Sequence, residues 1–303
     1  MGASMRGKLS NTLPVHLVIV AALATALPSF AFDFGSITDA VKNIDINKVV
    51  DTTKKLVEAT TEMSEADEIA LGDDLTARLL GAMPPVADPA VQTYVNSVGR
   101  WLSLQTDRPN LPWRFIVTDT DSIGAFAVPG GSVVITSGLM QLMRDENELA
   151  GVLAHEIAHV VEKHHLRAIM KQARTELAKD MTAELAQAYL NKNAKLTDAL
   201  LNSGMKLYAS GLSQADEMSS DVAGSKIAAR GGYDPLGLLL VLTTLDTINT
   251  EEPRMAVMFS THPPTAERID NLAQALEPIA DRLDSTLNNP DRFQIAQKGL
   301  FKN

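Results

Sequence analysis

Apolar positions recur at helical spacing from Ser36 to about Leu80, with Ile37, Val41, Ile44, Val49, Leu56 and Val57 set among Lys, Asp, Glu and Thr. That pattern predicts an amphipathic helical arm leading into a larger domain. Met83-Pro84-Pro85 ends it, and Asp88-Pro89 opens a second helix by the rule of a capping residue followed by proline, with Val91, Tyr94, Val95 and Val98 on one side. The pattern then changes to short apolar runs. Trp113 to Val117, Ala125 to Val128 and Ser132 to Thr136 read as strands, the last two joined tightly through Pro129-Gly130-Gly131. Helical spacing returns at Asp145, where Asp145 and Glu148 form a capping box for a helix expected to run to about His165. Leu166 to Leu201 predicts long helices with one solvated face, and Leu212 to Arg230 a further helix stopped by Gly231-Gly232. Asp234-Pro235 opens the next. The expected class is α+β, helix-dominated, with one small sheet.

The first residues follow a different logic. Arg6 and Lys8 precede a run from Leu17 to Leu27, broken by Pro28 and followed by Ser29-Phe30-Ala31. This is the order of a secretory signal, and the run is far short of the ~20 residues that a spanning helix needs. Residues 1–31 are therefore expected to be a cleaved signal, with no integral span afterwards and an exported, periplasmic product. Residues 32–64 would then form the arm, 65–276 the main domain and 277–303 a C-terminal tail.

Composition narrows the function classes. The chain has 303 residues, 45% of them apolar, and a net charge of −10; without the signal the balance is 25 cations against 37 anions. No basic surplus exists to neutralise phosphates, so a nucleic-acid partner is not expected. The absence of cysteine excludes disulfide staples, thiolate metal sites and thiol nucleophiles. Six histidines remain to be placed, one of them, His16, in the signal.

His155-Glu156-Ile157-Ala158-His159 lies inside the capped helix. Residues four apart stand one above the other, so both imidazoles can face one ion, while Glu156 can face a water bound to it. A zinc ion with three protein ligands keeps a position for water and lowers its pKa toward ~7, and a carboxylate can then take the proton. The surrounding helix is almost wholly apolar, and two histidines and a glutamate buried there need a partner or a task. His165 stands ten positions after His155, but Glu162 occupies the place where that ligand pattern needs a helix-ending glycine. A glutamate on a later helix is the alternative. Glu217 fits, with Asp221 on the same face to accept an imidazole N–H, and Gly224 one turn on can permit close approach to the His155 helix.

These motifs resemble the HtpX, CAAX prenyl protease and BepA-like family of zinc metallopeptidases, in its exported form. Ala125 to Gly131, Ile135 to Leu139, Asp145 to His164, Glu217 to Asp221, Gly232 to Pro235 and Thr261-His262-Pro263-Pro264 through Arg268 match in order, over about Glu65 to Leu276. The resemblance implies a zincin-like fold whose edge strand flanks the active-site helix, and one zinc per chain on His155, His159 and Glu217. It implies Glu156 as general base, His262 as a transition-state support or a fourth ligand acting as a brake, and Arg268 near the site. His164 matches a family histidine whose role is left open, and His165 is expected to be an ordinary surface histidine. Gly124 and Gln214 depart from the family pattern. Ser132 to Thr136 is the expected substrate edge. The function implied is hydrolysis of misfolded or stalled exported polypeptides, with the outer-membrane assembly machinery as a partner. The alternative is a chaperone-like factor with its zinc site held closed.

Overall fold

The computed structural model describes residues 63–179, 194–249, 251–280 and 289–300. The signal segment, residues 32–62 of the arm, and the middle of the stretch between Leu166 and Leu201 lie outside the described residues.

Helix α1 (Glu65–Ala82) begins at Ser64, whose side chain accepts from the Asp67 N–H. Helix α2 (Pro89–Ser103) begins at the Asp88 cap with proline in its first turn, as its sequence predicts. Three strands follow: β1 (Arg114–Thr118), β2 (Ala125–Val128) and β3 (Ser132–Thr136). Gly130 and Gly131, at φ of +80° and +107°, make the tight turn between β2 and β3 that a side chain at either position would strain.

The sheet order is β1-β3-β2, with β3 parallel to β1 and antiparallel to β2. Here the structure corrects the sequence reading. Ser132–Thr136 is the central strand, hydrogen-bonded on both sides, and cannot take a peptide; β1 and β2 are the edge strands. The physical reason is that β3, the last strand in the chain, inserts between β1 and β2 and separates these two chain neighbours.

Alternation along the strands divides the core in two. Phe115, Val117, Ala125, Ala127, Val133 and Ile135 join one apolar cluster with α2 and the helix α4 (Glu146–Val161). Phe126, Val128 and Val134 join another with α1, α5 (His164–Lys179) and α6 (Ala194–Ser210). Each fully buried Val, Ile or Phe among these contributes roughly 1.5–3 kcal/mol relative to exposure. The short helix α3 (Ser137–Leu142) links β3 to the loop before α4. After α6 come α7 (Gln214–Arg230), α8 (Gly237–Asp246), α9 (Ala256–Thr261) and α10 (Ala266–Ala280). The expected tail region contains a last helix, α11 (Pro290–Gly299), whose Phe293 is fully buried in the main core and whose Arg292 is bonded to Glu146.

Candidate functional site

Helix α4 is built from local signals. Asp145 accepts from the Glu148 N–H at 3.1 Å, and the Glu148 carboxylate reaches back to the Arg144 N–H at 2.8 Å. Every residue of α4 from Glu146 to Val160 is buried, so His155, Glu156 and His159 are held by packing on all sides. The helix stops at Val161, four residues earlier than expected. Glu162 caps it, and Lys163 takes a left-handed φ of 56° without being glycine, so a new helix, α5, starts at His164.

Helix α7 supplies the carboxylates. Ser213 caps it by accepting from the Asp216 N–H at 3.2 Å, and Glu217, Ser220, Asp221 and Gly224 form its buried face. A Cβ on Gly224 would stand 2.7 Å from both Cα and N of His155, so the absence of a side chain is what lets α7 lie directly on α4. His262 follows α9 at its C-cap, and Arg268 lies in the first turn of α10.

These segments converge. His155 Nε2 and His159 Nε2 are 3.0 Å apart, and Glu217 lies 3.6 Å from the first and 3.5 Å from the second. His262 Nδ1 lies 3.0 Å from Glu217 Oε2, and its Nε2 3.9 Å from Glu156 Oε1. One donor atom each from His155, His159, Glu217 and His262 falls within a 4.8 Å group, all four residues buried. Bonds of ~2.0–2.1 Å to a tetrahedral ion set its ligand atoms about 3.3 Å apart, and three imidazoles with one carboxylate are a zinc-type donor set. The His155, His159 and Glu217 separations fit such an ion.

Charge in the cluster is strongly coupled. Burial alone would strip the proton from His155, but Asp221 and Glu217 outweigh it and hold its pKa up to about 10. Burial would likewise push Glu217 up, yet His262, His155 and His159 hold it well below the usual carboxylate range. His159 is driven well below the ordinary imidazole value by burial and the neighbouring His155. Burial raises Glu156. Its Oε2 is buried and has no hydrogen-bond partner.

Arg268 is only 1% exposed, which excludes an ordinary surface cation. Its Nε and Nη2 grip the two Asp221 oxygens at 2.9 and 2.7 Å, and its Nη1 lies 3.1 Å from Glu217 Oε2. Asp221 Oδ1 in turn lies 3.0 Å from His155 Nδ1. His165 departs from expectation: it is 5% exposed, beside Tyr208, because the turn at Lys163 folds α5 back over the sheet. It is nevertheless outside the donor cluster. Tyr208 on α6 was not anticipated; its hydroxyl donates to the Ala127 carbonyl at 3.1 Å, and no local motif marks it.

Comparison with known proteins agrees with this site. The model of peptidase family M48 matches residues 89–276, which carry every residue of the cluster. The chain belongs to peptidase family M48. Within that family it is 31% identical over 229 residues to the beta-barrel assembly-enhancing protease of Escherichia coli K12 and 30% over 233 residues to that of Yersinia pestis. Each match covers 73% of this chain but only 47% and 46% of the relative, so the chain spans about half the length of these proteins. It is also 26% identical over 249 residues to metalloprotease LoiP of E. coli K12, covering 80% of this chain and 93% of LoiP. The two departures from the family pattern lie off the metal cluster: Gly124 faces Val257, and Gln214 donates to Glu267 at 2.5 Å. Among the described residues no helix is long and apolar enough to cross a membrane.

Proposed function

We propose that this chain is a zinc-dependent endopeptidase that hydrolyses misfolded or stalled exported polypeptides in the periplasm. The observation that carries the reading is Glu156: a buried carboxylate with an unpartnered oxygen, beside a four-donor cluster drawn from three separate segments. Leaving such an oxygen unsatisfied is costly unless its partner is a reactant. His155, His159 and Glu217 would hold the ion, which when bound supplies Lewis-acid chemistry, acidifying water toward ~7 and polarising a carbonyl. Glu156 takes the proton of the attacking water and delivers it to the leaving amine, a cycle for which its raised pKa suits it. In this reading Arg268 acts by holding Asp221 and Glu217 in place. His262, between Glu217 and Glu156, either supports developing charge or closes the open position.

Substrate pairing belongs to β2. The Thr136 N–H donates to Gly124 O, so in this antiparallel ladder Ala125 and Ala127 turn their main-chain groups away from β3, toward the edge that carries no strand and is buried in this structure. An extended peptide adding there needs little side-chain specificity, which suits unfolded clients. Tyr208 occupies the Ala127 carbonyl and must yield to such a peptide. The signal-like N-terminus and the relatives named for β-barrel assembly support an envelope setting and the outer-membrane assembly machinery as partner.

One observation favours a second reading, a binding factor with its site closed: His155 and His262 are each only 4% exposed and Glu156 2%. Glu156→Gln is expected to keep zinc and lose cleavage of an unfolded substrate; equal cleavage by variant and wild type would refute the peptidase mechanism. His262→Ala separates the roles of that residue, since faster turnover marks a brake and slower turnover a transition-state support.

A further inference from the structure

Each metal-facing imidazole has a second nitrogen turned away from the cluster, and the two are supported differently. His155 Nδ1 faces Asp221, a carboxylate gripped by Arg268. His159 Nδ1 faces no carboxylate. It lies 3.0 Å from Nδ1 of another histidine, His164. The other nitrogen of His164, Nε2, lies 3.1 Å from Glu162 Oε2 and 3.5 Å from Asp216 Oδ1. Ser220 of α7, fully buried, places its Oγ 3.0 Å from the same nitrogen, His164 Nδ1.

The hydrogen positions in this chain follow from valence. An imidazole that offers Nε2 to a metal carries its hydrogen on Nδ1, so His159 can only donate there. His164 must therefore accept at Nδ1 and carry its own hydrogen on Nε2, the atom that faces Glu162 and Asp216. The direction of donation is thus fixed from His159 to His164 to the carboxylates. The fold maintains this contact at a cost. Only the left-handed turn at Lys163 brings the first residue of α5 behind His159, and a non-glycine residue at positive φ is disfavoured by about 1 kcal/mol or more.

We propose that His164 is the positioning residue for His159: it fixes the tautomer and ring orientation of that ligand and links it to the partly exposed pair Glu162 and Asp216. The proposal rests on the reading of the cluster as a zinc site, and it gives the two histidine ligands unequal support. His155 leans on an anion that is neutralised by Arg268, and His159 on a neutral ring.

The test reads metal binding, not turnover, in the full chain. Zinc affinity is measured by competition with a chromophoric chelator, and the visible bands of the Co2+-loaded protein report ligand geometry. His164→Ala is expected to weaken zinc ~10–100-fold and shift the Co2+ bands, as loss of a partner to a metal-bound histidine does. His164→Gln, whose carbonyl can accept from His159 and whose amide can donate to Glu162, is expected to recover most of that loss. This rescue guards against a variant that simply misfolds. In the zinc-loaded wild type, imidazole 15N spectra are expected to show His159 protonated at Nδ1 and His164 at Nε2. Wild-type zinc affinity and Co2+ bands in His164→Ala, or the opposite tautomer in either ring, would overturn the proposal. If the wild type itself takes up no zinc, the reading of the cluster fails instead.

Discussion

Gly224→Ala adds one methyl group at the closest approach of α7 to α4. Its carbon would meet His155 Cα and N at 2.7 Å and Ala154 C at 3.0 Å, all main-chain atoms that cannot rotate away. Ordinary carbon contacts lie at about 3.5–4.0 Å, so α7 must withdraw by about 1 Å. Glu217 and Asp221 ride on the same face of α7, whereas a metal site tolerates displacements of about 0.2 Å. Overpacking of this kind costs about 1–3 kcal/mol, offset by up to ~1 kcal/mol from the better helix propensity of alanine. The expected outcome is a loss of ~1–2 kcal/mol in stability, a fall of several degrees in Tm, and zinc affinity lowered ~10-fold or more. Gly81→Ala is the control, because a Cβ there meets nothing within 4 Å and the change should leave zinc binding intact. Denaturant unfolding of the zinc-free protein and chelator competition measure the two effects separately. Wild-type zinc affinity and stability in Gly224→Ala, or equal damage from Gly81→Ala, would refute the claim that helix contact positions the third ligand.

Arg268→Met leaves the buried Asp221 and Glu217 carboxylates without their cation and is expected to cost ~3–5 kcal/mol in equilibrium unfolding; a loss below ~1 kcal/mol would show that the pair is not sustaining the site. Because His155 titrates near 10 in the metal-free protein, it is charged at pH 7 and zinc must expel its proton, so apparent zinc affinity should rise with pH through neutrality. Calorimetry in two buffers of different ionisation enthalpy checks this, and binding heats independent of the buffer would contradict it. Tyr208→Phe removes the hydrogen bond to Ala127 O, worth ~0.5–1.5 kcal/mol, and is expected to lower KM for an unfolded substrate ~2–10-fold with kcat little changed. An unchanged KM would mean that peptides do not pair with that carbonyl.

The parts of this protein that depend on near neighbours were legible in its sequence. Asp145 and Glu148 mark the start of α4, the four-residue spacing of His155 and His159 puts both rings on one face, and the small residue at Gly224 announces a close helix contact. Each of these follows from the helix period and the hydrogen-bonding needs of helix ends, which act within a few residues. The order of the sheet was not legible. Three short, largely apolar runs look alike, and pairing is decided by which strands the helices can cover together. Nor was the end of α4 legible, since Glu162 and Lys163 are good helix formers and only packing of α5 on the sheet compensates the left-handed turn. That turn decides where His164 and His165 lie. Likewise Arg268 is tied to the site only by the family resemblance, its partner unnamed, until α10 brings it against Asp221, 47 residues away in the chain. Sequence determined which residues could do chemistry, because side-chain type and helical spacing are local properties. The tertiary structure decided which of them gather into one buried cluster, which lie behind it and which strands are edges of the sheet, because those placements depend on contacts between segments that only the packed core brings together.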